Sequence, residues 1–186
     1  IYLGMRQGSP LVSADNGPAS PFDNPLVREA INLAIDREAI RDVVMRGLSV
    51  PTCITNPPFV RGWNADLDAC PAFDPERAME LLAEAGYPDG FAVTLDTPNN
   101  RYVNDEAISQ AIVAMLSQIG LDVSLASRPL AQHSPRILNG ESDFYLMGWG
   151  VPTLDSQYTL ASLFHTKGEV YGIYNSSRYS NPELDE

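Results

Sequence analysis

The sequence is short of positive charge: 12 Lys and Arg stand against 24 Asp and Glu, a formal net charge of −12 over 186 residues. A phosphate backbone or an anionic leaflet repels such a surface, which excludes nucleic acid as the main partner. Long apolar runs are missing too. None approaches the roughly 20 residues that a membrane-spanning helix needs. The only histidines are His133 and His165, and no His-x-x-x-His or carboxylate cluster accompanies them. That leaves no set of side chains for a metal. Cysteine is limited to Cys53 and Cys70, in a stretch rich in proline and glycine. Two thiols make a poor zinc site. In an oxidising compartment they close a loop, and in a reducing one they are two small apolar residues; the residues alone leave both readings open.

The motifs of common chemistries are absent as well. There is no G-x-x-x-x-G-K-[ST], and no G-x-G-x-x-G lies between a strand and a helix. Gly148-Trp149-Gly150 runs into Val151-Pro152 and opens no helix. No G-x-S-x-G supplies a nucleophile, and neither histidine has a partner in sequence that would make it a base. The acidic pairs Asp105-Glu106 and Asp185-Glu186 fall at expected helix N-termini, where the dipole favours them. The expectation is a protein without catalytic residues, cofactor or metal.

What is present is a globular composition, 44% hydrophobic and 19% charged, on a chain long enough to bury a core. The chain opens on the strand-like Ile1-Tyr2-Leu3-Gly4-Met5 and stops at Asn181-Pro182-Glu183-Leu184-Asp185-Glu186, which reads as a helix start. With no initiating Met and no signal-like segment, both ends read as cuts through a longer protein. A loop spans 13–22. Asn24 then caps a helix whose face is Val27, Ala30, Ile31, Ala34 and Ile35, and Asp36 caps a continuation through Ile40, Val43 and Val44 to Gly47. From 49 to 73 prolines exclude long regular elements, and an irregular stretch of that length is often functional or packed as a lid.

Asp74-Pro75 opens a helix ended by Gly86, and strand 91–95 follows. A helix capped at or near Asn104 carries the stripe Ile108, Ala111, Ile112, Met115, Leu116 and Ile119. Then come strand 121–125, a short helix over 134–138 and the apolar strand 144–147. Strands alternating with helices predict an α/β sheet with parallel neighbours. In such sheets ligands lie beyond the carboxyl ends of the strands. Two loops qualify: Asp96-Thr97-Pro98-Asn99-Asn100-Arg101-Tyr102, and Gly148-Trp149-Gly150-Val151-Pro152-Thr153-Leu154-Asp155. Asn99, Asn100, Arg101, Trp149, Gly150 and Asp155 are the candidate ligand-binding residues, offering amides, a planar cation, an indole and a carboxylate. The competing reading packs Trp149 in the core and leaves Arg101 in solvent.

From Pro25 onward the chain resembles the family 5 extracellular solute-binding proteins. The likeness rests on Val27-Arg28-Glu29-Ala30-Ile31-Asn32-Leu33-Ala34-Ile35-Asp36-Arg37-Glu38-Ala39-Ile40, then Phe73-Asp74-Pro75-Glu76-Arg77-Ala78, then 81–91. Gln118-Ile119-Gly120-Leu121-Asp122-Val123, Gly148-Trp149-Gly150 and Tyr179-Ser180-Asn181-Pro182-Glu183-Leu184-Asp185 complete it. Each block is a generic helix or turn; their order and spacing are specific.

The resemblance implies a periplasmic-binding-protein type II-like lobe, a mixed sheet with flanking helices. Residues 1–186 would be most of the second lobe of a two-lobed receptor, with 1–24 coming in from the hinge and 25–186 forming the body. It implies a periplasmic or otherwise extracytoplasmic place, a small-molecule solute and the membrane permease of an ABC importer as partners, and no cofactor. That location favours a Cys53–Cys70 disulfide. Peptide-binding relatives often carry an Asp three residues beyond the Trp, where it meets the peptide ammonium. Pro152 stands there in this chain, so peptide, opine, sugar-like and other polar solutes stay open. The alternative is a ligand-sensing lobe of a cytoplasmic transcriptional regulator; a signal peptide or a helix-turn-helix on the longer protein separates the two.

Overall fold

Alternating apolar residues build a four-stranded mixed sheet in the computed structural model, which describes residues 1–15 and 17–186. The loop read over 13–22 includes Asn16, which lies outside the described residues. The strands are β1 (Tyr2–Met5), β2 (Ala92–Pro98), β3 (Asp122–Arg128) and β4 (Phe144–Met147), in the order β1-β4-β2-β3. β2 runs parallel to both β3 and β4, and β1 pairs antiparallel with β4, Tyr2 opposite Met147 and Met5 opposite Phe144.

The helices are α1 (Pro25–Leu33), α2 (Arg37–Ala39, continued as a π turn over Ile40–Val44), α3 (Pro75–Glu84), α4 (Asp105–Gln118), α5 (Leu130–Leu138), α6 (Ser156–Thr159, running into a π turn over Leu160–Phe164) and α7 (Pro182–Asp185). Side chains of Asn24, Asp36, Asp74 and Asn181 accept hydrogen bonds from first-turn N–H groups, as the sequence leads one to expect.

Two sequence expectations shift. α5 begins a turn before Ser134, because the Asn100 side chain accepts from Leu130 N at 2.8 Å and Pro135 is tolerated inside the helix. Asn104 occupies the cap position of α4 in the left-handed region (φ 57°) with no capping bond; its amide donates to Val44 O instead. Asp105 takes over at that helix start, accepting from the backbone N–H groups of Arg101, Tyr102 and Glu106.

The two crossovers run across the sheet in opposite directions, from β2 through α4 to β3 and then from β3 through α5 back past β2 to β4. Right-handed crossovers of opposite direction place their helices on opposite faces. Val93 and Leu95 of β2 accordingly join the main core with Ile108, Ile112 and Leu116 of α4 and Val27, Ala30 and Ile31 of α1. Phe22 sits at its centre, edge-on to Phe91 at 5.9 Å and tilted against Phe144 at 5.6 Å. Asp96, the next position along β2, points the other way. It pairs with Arg128 and accepts from Ser142 Oγ at 2.6 Å, with Arg136 of α5 nearby.

Candidate functional site

Because β2 and β4 are parallel neighbours, the loops leaving their carboxyl ends emerge side by side. Tyr102, after β2, joins them: its hydroxyl accepts from Gly148 N, after β4, at 2.7 Å. A Cβ on Gly148 would lie 2.6 Å from the Tyr102 ring, so the contact needs glycine there. Next to it, Trp149 stacks on Tyr158 at 5.3 Å, meets Tyr174 edge-on at 5.5 Å, and donates its indole N–H to Thr159 Oγ1 at 3.2 Å. The indole is held by two aromatic rings, one stacked and one edge-on, and at its polar atom by a hydroxyl.

Tyr102 and Trp149 line a cavity of about 810 Å3. Its floor is apolar, from Leu3, Ile31, Ile35, Ile108, Ile112 and Leu146. One wall is the run 49–55, and a polar edge comes from Arg28, Glu29, Asn32 and Arg37. The Arg37 guanidinium donates to Asn32 O, Ile35 O and the Asn32 side chain, and burial lowers its pKa from the ordinary value. Tyr2 closes another side; burial, and after it Tyr102, push its phenol up to about 12, so it is a neutral donor at any ordinary pH.

Of the six residues expected to bind ligand, Trp149 alone lines this cavity. Asn99 is exposed, its backbone N–H on Arg128 O at 3.1 Å. Asn100 caps α5. Arg101 is exposed and lies over the Tyr102 ring, 5.3 Å from its centroid, one residue removed from the cavity wall. Gly150 is exposed with open space where a side chain would be. Asp155 caps α6 by accepting from Gln157 N at 3.0 Å and stands 3.8 Å from Arg61.

The two loops therefore meet through Tyr102 and Gly148 rather than through the amides and the guanidinium. Tyr102 closes the very loop that was singled out and was passed over as a site residue. Tyr158, Thr159 and Tyr174 had no signal near Trp149 in sequence, since α6 is a single turn and Tyr174 lies outside any helix or strand. Cys53 and Cys70 are joined in a disulfide, with Cα atoms 5.2 Å apart. Among the described residues no group of three or more His, Cys, Asp and Glu is placed to hold a metal, and no helix is long and apolar enough to cross a membrane.

Comparison with known proteins agrees in family and fold. Residues 1–170 match the model of "Bacterial extracellular solute-binding proteins, family 5 Middle". The glutathione-binding protein GsiB of Salmonella paratyphi A is 33% identical over 176 residues, which are 91% of this chain and 34% of that protein. GsiB of Escherichia coli K12 is 32% identical over 177 residues, 92% of this chain and again 34% of the relative. Among solved structures, the periplasmic binding protein DppA of Helicobacter pylori, in complex with the peptide STSA, superposes with a TM-score of 0.82 at 26% identity, covering 99% of this chain and 33% of DppA. The binding protein AgaA of A. tumefaciens R10, in complex with agropinic acid, gives 0.78 at 27% identity, covering 99% and 36%. The chain thus spans about a third of the length of these four relatives, and its sheet with flanking helices is that of the type II periplasmic binding proteins.

Proposed function

The chain belongs to the bacterial extracellular solute-binding proteins of family 5, and from that premise we propose that it forms most of one lobe of a receptor that captures a small polar solute outside the cytoplasmic membrane and delivers it to the permease of an ABC importer. The observation that carries this reading is the cavity in which Tyr102 and Trp149, from adjacent strand-end loops, face an apolar floor with a polar edge. Such a surface offers flat apolar contact and a few directional groups, the composition of a small-molecule site. A receptor needs no bond-making groups; it needs only to bind its ligand better when closed than when open.

The named relatives are a glutathione-binding protein and proteins in complex with a peptide or with agropinic acid, which supports a compact solute bearing amide and carboxylate groups. Pro152 supplies no charge for a free ammonium, so the solute is not held there by an ion pair. None of the named relatives is a transcriptional regulator, and no feature of the cavity favours that reading.

Calorimetric titration of the longer receptor with glutathione, short peptides and opine-type solutes tests the proposal. Trp149→Ala is expected to weaken saturable binding by about tenfold or more, the loss of roughly 1–3 kcal/mol expected when a buried aromatic contact is removed. Tight binding that survives Trp149→Ala unchanged would place the solute elsewhere. This chain alone is expected to bind weakly, since the facing lobe supplies the remaining contacts.

A further inference from the structure

The run 49–55 that walls the cavity belongs to no helix or strand, nor does the chain on from there until α3 begins at Pro75. Its position is set by side chains. Cys53, half-buried on the cavity wall, is bonded to Cys70. Asp68 acts as a second tie two residues before Cys70. Its Oδ1 accepts from Thr52 Oγ1 (2.6 Å), Cys53 N (2.8 Å) and Ile54 N (3.3 Å), while Oδ2 accepts from Trp63 Nε1 (3.0 Å). Backbone bonds at Arg61, to Leu154 O and from Ser156 N, pin the same segment to the loop after β4.

One further contact runs from this segment to the indole. Thr159 Oγ1 accepts from Trp149 Nε1 at 3.2 Å and donates to Asn56 Oδ1 at 2.6 Å. The indole nitrogen can only donate, and with Asn56 Oδ1 facing the hydroxyl the single Thr159 proton points to Asn56. Asn56 therefore determines where the Thr159 lone pairs point, and with them where the indole N–H is satisfied.

We propose that segment 49–70 is a redox-sensitive strap: the Cys53–Cys70 disulfide holds one wall of the cavity and, through Asn56 and Thr159 as positioning residues, holds the Trp149 ring in its binding orientation. A small thiol or dithiol opens the strap. The reductant's thiolate attacks the Cys53–Cys70 bond, a second thiolate displaces the mixed disulfide, and the two electrons leave the reductant as its own S–S bond while both cysteines take up protons. The segment then keeps its hydrogen bonds, the buried Val60 and the Arg61–Asp155 contact to hold a conformation without regular structure, and such segments open first. The cavity is complete in an oxidising compartment and slack in a reducing one. The inference stands whether or not the cavity takes a solute, so its failure would leave the receptor reading untouched.

The chain carries two tryptophans, Trp63 within the strap and Trp149 at the far end of the relay, and single-tryptophan variants read them apart. Emission and acrylamide quenching are recorded for Trp63→Phe and Trp149→Phe, oxidised and after treatment with dithiothreitol, with far-UV circular dichroism alongside. Reduction is expected to shift Trp149 emission to the red and raise its quenching while the helical signal persists, and reoxidation to reverse both. Asn56→Ala in the Trp63→Phe background is expected to shift Trp149 already in the oxidised state, with little further change on reduction. A Trp149 signal indifferent to reduction while Trp63 responds would overturn the proposal, as would an Asn56→Ala protein with the parent emission. Loss of the helical signal on reduction would also overturn it, because the disulfide would then be holding the whole fold and not a strap.

Discussion

Asp143, just ahead of β4, gives the sharpest test of the packing described here. It is 1% exposed, and both carboxylate oxygens are engaged. Oδ1 accepts from Arg6 Nε at 3.1 Å and Nη2 at 2.5 Å; Oδ2 accepts from Val12 N at 2.7 Å, Ser13 N at 2.9 Å and Ser13 Oγ at 2.9 Å. Arg6 is itself 4% exposed. Asp143→Asn keeps the shape, so no cavity term enters. It replaces one acceptor by an NH2 group, and in either orientation that group meets donors: the guanidinium on one side, or the N–H groups of 12 and 13 on the other. It also leaves a buried cation without its counter-charge. Removing one partner of a buried pair costs about 3–5 kcal/mol. At roughly 2–4 °C per kcal/mol for a chain of this size, the melting temperature should fall by about 6–20 °C. Urea and thermal unfolding followed by circular dichroism measure both quantities. The double variant Arg6→Met with Asp143→Asn should recover part of the loss, since the unpaired charge is then gone. A loss below about 1 kcal/mol in Asp143→Asn would refute the reasoning, because only a solvated pair behaves that way.

Two further outcomes follow from single sites. His133 is fully buried, with Nε2 donating to Leu146 O at 2.9 Å and Nδ1 without a partner. Burial lowers its pKa; the Leu146 carbonyl and Asp105 act upward, and Arg128 and Arg136 act further downward. The folded chain then stays neutral at His133 while the unfolded chain takes up a proton below about pH 6.5, so this contribution to stability is full above that pH and declines as pH falls toward the lowered folded value. His133→Gln retains a donor for Leu146 O and should flatten the urea midpoint across that window; an unchanged slope would count against the buried neutral imidazole. Gly90 has φ +71°, and an added Cβ would lie 1.9 Å from Gly120 O, whereas Gly86, at φ +94°, has open space around it. Gly86→Ala should cost about 1–2 kcal/mol from backbone strain alone, and Gly90→Ala about 2–5 kcal/mol once the clash is added. Equal losses on urea unfolding would deny the close approach at Gly90.

The parts legible in the sequence are those whose causes are local. Asn24-Pro25 and the spacing of Val27, Ala30, Ile31, Ala34 and Ile35 set α1, and all five apolar residues are buried. The β2-α4-β3-α5-β4 alternation gave the parallel strands for the same reason. Where a partner distant in the chain decides, the residues mislead. Asn100 has the chemistry of a ligand contact and serves as a cap for a helix whose first N–H is thirty residues away. The loop rule singled out two loops that the structure sets side by side but not the contact between them, because nothing near Tyr102 announces that its hydroxyl meets Gly148. The surroundings of Trp149 were illegible for a similar reason: Tyr158 and Thr159 reach it from the single-turn helix α6, and Asn56 reaches Thr159 from an irregular segment, neither of which has a period to read.

The antiparallel pairing of β1 with β4 has a mechanical meaning. Tyr2 lies opposite Met147, so the ladder terminates one residue short of Gly148 and two short of the indole. Because β1 is the edge strand and β4 is its only neighbour in the sheet, backbone hydrogen bonds alone tie the stretch around residue 2 to the aromatic end of β4, with no helix in between.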